Sequence, residues 1–111
     1  MTTEQHDTID FVAHDNAAGA VILVLVEERP WGRRGERLPD LQAKFNTYLD
    51  YVVSGRLVAD YAEAAGERVR IELRSAYPPG PRELEFIDIV VRNHFEPEGI
   101  DFTWSEIPNV G

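Results

Sequence analysis

The chain of 111 residues reads as an α+β two-layer sandwich. Its expected form is a four-stranded mixed sheet with two helices on one face, in the order β-β-α-β-α-β. Three observations predict it. Two alternating apolar stretches near the start flank Asp15-Asn16-Ala17-Ala18-Gly19, whose residues tolerate the backbone of a hairpin turn. Two later strand patterns each follow a stretch of helical periodicity, as β-α-β units do. A hydrophobic content of 43%, with two Trp, four Tyr and five Phe, belongs to a chain with a packed core.

The first strand spans 8–14, with Ile9, Phe11 and Ala13 on one side and Thr8, Asp10, Val12 and His14 on the other. The second runs from Ala20 to Glu28. Val21, Leu23 and Leu25 point one way and Ile22, Val24 and Val26 the other, so both faces are apolar. Pro30, Gly32 and Gly35 break the pattern into a loop up to Leu38. Leu41, Phe45, Tyr48, Leu49 and Val52 then form one stripe of a helix over 39–53, with Pro39 suited to its first turn and Gly55 to its stop. A weaker helical stretch covers 57–65.

Val69, Ile71 and Leu73 alternate with Arg68, Arg70, Glu72 and Arg74 as the third strand, which Tyr77-Pro78-Pro79 ends. Pro81 opens a second long helix whose apolar stripe is Leu84, Ile87, Val91 and Phe95. Pro97 and Gly99 stop it, and Ile100, Phe102 and Trp104 alternate as the fourth strand. The whole of 1–111 reads as one domain, with flexible ends at 1–6 and 107–111.

Composition bounds the chemistry. The absence of cysteine excludes disulfides, thiolate nucleophiles and cysteine-ligated metal sites. The first seven residues lack the basic and then apolar stretches of a signal peptide, which points to a cytoplasmic protein. The longest apolar run, 17–26, is about half of the roughly 20 residues a membrane-spanning helix needs. A net charge of −9 sets the average field against nucleic acid and anionic membranes.

No catalytic or metal-binding constellation is legible. His6, Asp10 and His14 share a strand side, but residues four apart on a strand lie about 13 Å apart, too far to share one ion. His94 fits the C-terminal dipole of its helix. The pairs Glu27-Glu28, Glu83-Glu85 and Glu96-Glu98 read as exposed, whereas acid/base work needs a buried pair. Neither Ser54 nor Ser75 is tied to a base, and Gly32 and Gly35 do not match a phosphate loop. No metal and no cofactor are expected.

Leu41-Gln42, Lys44, Asn46, Tyr48-Leu49, Tyr51 and Ser54-Gly55, with Gly66, Val69-Arg70-Ile71, Tyr77-Pro78-Pro79 and Glu83-Leu84-Glu85-Phe86 after them, resemble the motifs of a small bacterial family. That family is the domain of unknown function numbered 6572, and the resemblance covers about residues 7 to 104. It implies the fold above and no activity.

What remains is a binding surface. The expected function is a non-catalytic protein-binding or regulatory domain with an unidentified protein partner. One alternative is a small-molecule enzyme or binder with a site beside the Trp31 loop. Another is an acidic, immunity-like inhibitor of a basic partner. The loop 29–37 carries four arginines and one glutamate, a local +3 that leaves −12 on the rest of the chain. Trp31, Arg33, Arg34 and Arg37 there are candidate binding residues. Asn46, a poor helix former in mid-helix, and Tyr51 are candidates on the first helix. Val12, Ile22, Val24 and Val26 form a candidate homodimer strip on the sheet face the helices leave open.

Overall fold

The computed structural model describes residues 2–4 and 6–108. Strands β1 (Phe11–Asp15), β2 (Ala20–Glu27), β3 (Arg68–Ser75) and β4 (Ile100–Glu106) form one sheet in the order β1-β2-β3-β4. β1 and β2 make an antiparallel hairpin, and β2, β3 and β4 run parallel. Helices α1 (Leu38–Val53) and α2 (Arg56–Asp60) lie in the β2–β3 crossover, and α3 (Pro81–Val90) in the β3–β4 crossover. This is the α+β architecture and element order that the sequence predicts.

The core fills the space between one sheet face and the helices. Val21, Leu23 and Leu25 of β2, Ile71 and Leu73 of β3 and Ile100 of β4 meet Leu41, Phe45 and Tyr48 of α1, Ile87 of α3, and Phe95. Phe45 is the hub: its ring centroid lies 6.2 Å from Phe86, 5.4 Å from Phe95 and 5.7 Å from Phe102. Each such pairing adds about 0.5–1.5 kcal/mol beyond the area it buries. Gly55, at φ +86°, turns the chain from α1 into α2, in a region that residues with a Cβ rarely adopt.

Four details differ from expectation. In β1 the register pairs Val12 with Leu23 and Phe11 with Val24. Paired residues share a face, so Val12 points at the helices and packs on the core, while Phe11 is turned out and is 52% exposed. Val12 therefore leaves the open-face strip. Residues Thr8 and Asp10 precede the strand, because both bond the buried Lys44.

In α3, Leu84 is exposed and Glu83 is buried instead. The Glu83 carboxylate accepts the Gly80 N–H at 3.1 Å, reaching back over the helix start. The α-helix ends at Val90, and 91–95 form a wider π turn. Pro97 cannot donate to the carbonyl four residues back, so the α ladder could not run on through it. The π turn still seats Phe95 in the core, fully buried.

Of the ends expected to be flexible, Met1, Gln5 and 109–111 lie outside the described residues, whereas Thr3 is buried beneath the end of β2. Among the described residues no helix is long and apolar enough to cross a membrane.

Candidate functional site

The residues that the sequence singles out separate into a braced loop, a buried charge network, an open sheet face and a groove. The loop is braced from within. Trp31 is only 4% exposed and donates its indole N–H to the Tyr77 carbonyl at 2.9 Å. Arg37 donates to the Pro30 carbonyl, and Arg82 of α3 donates to the Arg34 carbonyl. Gly32 sits at φ +80°, where an added Cβ would overlap the Glu36 carboxylate. Arg33 and Arg34 stay exposed, but the aromatic side chain between Arg29 and Arg33 belongs to the core.

The fourth arginine, Arg29, turns inward. Its guanidinium lies 2.6 Å from Glu27, 3.2 Å from Asp40 and 3.0 Å from Glu4. Glu27, at the end of β2, is fully buried and also accepts the Thr3 hydroxyl at 2.8 Å. Burial pushes the Glu27 carboxyl up, but the hydrogen bonds from Arg29 and Thr3 outweigh it and hold the group below its ordinary value. Asp40 is lowered in the same way: burial opposes, and His6 and Arg29 prevail.

Beside this cluster Lys44 donates to Asp10 at 2.8 Å and to Thr8 at 3.1 Å. The Tyr48 hydroxyl accepts the Asp10 N–H and donates to the Val24 carbonyl. Burial raises the Tyr48 pKa far above its usual range, so it remains a neutral donor. The histidines and aspartate that share a strand side in the sequence thus go to three different partners: His6 to Asp40, Asp10 to Lys44 and His14 to Glu67. Among the described residues no three histidine or carboxylate side chains gather as metal ligands would. Glu27 and Glu83 are buried, contrary to the exposed reading of their pairs, because one anchors an arginine and the other a helix start.

On the open sheet face, Phe11 and Ala13 of β1 lie beside Ile22, Val24 and Val26 of β2. Arg68, Arg70, Glu72 and Arg74 of β3 form the next column. Val24 and Val26 are each only 7% exposed, while Phe11 stands proud.

The groove runs between α1 and the α3–π segment. Asn46 sits where three adjoining depressions meet. One, of about 440 Å³, lies outside the groove, between α1, residues 7–9 and the start of α2, and is lined by Asp7, Ile9, Asp50, Tyr51 and Arg56. A second, of about 190 Å³, is floored by Phe45, Leu49, Phe86 and Phe95, with His94 at its rim. The third, of about 290 Å³, adds Val53, Pro97 and Glu98. Tyr51 is buried and donates its hydroxyl to Asp60 at 2.7 Å, and burial together with that carboxylate pushes its pKa up to about 12. Arg56 lies 5.6 Å from the centre of its ring.

The structure thus brings Asn46 and Tyr51 together and leaves Trp31 off all three depressions. It adds His94, which the sequence assigned to a helix dipole. π turns recur at functional sites, and this one carries His94 to the groove rim. The periodicity of α1 and α3 identifies their buried stripes but not the space between them.

A family model described as a family of unknown function matches residues 1–108. No curated protein and no solved structure matches the chain.

Proposed function

The chain belongs to the DUF6572 family of unknown function, and from its own geometry we propose that it is a non-catalytic protein-binding domain whose site is the groove between α1 and α3. The observation that carries this reading is the meeting of two depressions at Asn46, Leu49 and His94, one of them over an aromatic floor, with Val53 at 55% and Ile89 at 51% exposure beside them. Apolar side chains that solvent reaches, bordered by polar groups, are the composition of a docking surface.

The test compares proteins co-purifying from native cell extract with wild type, Ile89→Ser, Asn46→Ala, and an Arg33→Ser/Arg34→Ser double variant, quantified by mass spectrometry. A groove partner should be lost with the first two variants and kept with the double variant. Retention with the groove variants and loss with the double variant would move the site to the loop.

A second reading concerns the open sheet face. Arg68, Arg70 and Arg74 there balance Asp15, Glu72 and Asp101, so this face is neutral on a chain of net charge −9. Two copies can appose it without the like-charge repulsion that the rest of the surface imposes. Phe11, Ile22, Val24 and Val26 supply its apolar strip, and self-association through it makes a homodimer.

A further inference from the structure

Building on the groove reading, we infer that the occupant is a basic amphipathic helix of about three turns. Length comes first. The stretch of α1 from Gln42 to Val53 that borders the groove is about 17 Å long at about 1.5 Å per residue, which accommodates apolar anchors at i, i+3 or i+4, and i+7.

Backbone chemistry selects a helix over an extended peptide. Both walls are helices, whose N–H and C=O groups bond within themselves, so the groove offers no strand edge. An extended segment laid on Phe45, Leu49 and Phe86 would bury main-chain groups without partners, at about 1–3 kcal/mol each. A helix closes its own hydrogen bonds and presents only side chains.

Charge selects the sign. The apolar floor lies toward Phe86, while Asp50 and Glu98 stand with Val53 at the other end, and the described residues lining the groove include no lysine or arginine. Lysine or arginine flanking the apolar stripe meets those carboxylates, and an acidic helix or an anionic lipid surface is repelled by them. Asn46 and His94, at the middle of the groove, are placed to set the register by hydrogen bonds to the incoming helix.

The test uses three synthetic helical peptides with one leucine stripe and Lys, Gln or Glu at the flanking positions, titrated into isotope-labelled protein and followed by NMR. The Lys peptide should shift Asn46, Ile89 and His94 and bind at least ten-fold tighter than the Glu peptide, with the Gln peptide between them. Asp50→Asn/Glu98→Gln should shrink that ratio, and Ile89→Ser, an exposed position whose change spares the fold, should weaken all three. Equal binding of the three peptides in the groove overturns the basic occupant and leaves the groove reading standing. Shifts scattered over the acidic surface and insensitive to Ile89→Ser, or no shifts at all, overturn both.

Discussion

Lys44 Nζ lies 2.8 Å from Asp10 Oδ1, and the two side chains are 0% and 1% exposed. A charge pair this deep holds the chain before β1 against α1, and through the Asp10 carboxylate it also takes the Val26 N–H. Removing Lys44 leaves the Asp10 carboxylate buried without its ammonium. Lys44→Met should therefore cost about 3–5 kcal/mol in urea denaturation. The double variant Lys44→Met/Asp10→Leu should lose less than the two single changes summed, and strict additivity would mean that the two charges are not coupled.

Acid should unfold the protein partly through Glu27. Its folded pKa lies below the ordinary 4.5 because Arg29 and Thr3 outweigh burial. The stabilisation is thus complete above that value and is lost as pH falls through the folded pKa. Glu27→Gln should lower stability at neutral pH and flatten the acid limb of the stability curve. An unchanged acid limb would assign acid sensitivity to other carboxylates.

His14 works in the opposite direction. The hydrogen bond to Glu67 raises its pKa above 6.5, so its contribution is complete below that value and fades as pH rises through the folded pKa. NMR titration of the His14 ring should return a midpoint above 6.5, falling back toward it in Glu67→Gln. A midpoint at or below 6.5 in the wild type would contradict the pairing.

Phe11 tests the open face. Light scattering over rising concentration should show wild type moving toward twice its 12.6 kDa mass and Phe11→Asp remaining monomeric with unchanged circular dichroism. Monomers in both would end the homodimer reading.

The Trp31 loop should divide into a structural and a dispensable part. Trp31→Ala should cost about 3–5 kcal/mol, as large aromatic truncations in a core do. Arg33→Ser/Arg34→Ser, both exposed, should stay within about 0.5 kcal/mol. A large loss from the arginine change would show that they brace the loop.

Sequence periodicity by itself determined the fold class, the order of elements and most of their limits. The signals are local: alternation across Val69, Ile71 and Leu73, a helical stripe through Leu41, Phe45 and Tyr48, and Pro or Gly at the breaks. The family motif also runs through Lys44, Asn46 and Tyr51, although nothing in it separates core from groove.

Only the tertiary structure decided which side of β1 faces in, because an alternating strand reads alike from either face until its register with Leu23 is fixed. Only the tertiary structure, too, made Glu27, Lys44 and Glu83 interior residues, since a charged side chain enters the core where partners wait: Glu27 is held by Arg29 folded back on it and by Thr3, and Lys44 by Thr8 and Asp10 of a separate segment. The groove followed the same logic. It exists because α1 and α3, more than a crossover apart in the chain, share one aromatic floor without closing over it. Periodicity is a property of neighbours along the chain, whereas partnered charges and grooves are properties of neighbours in space.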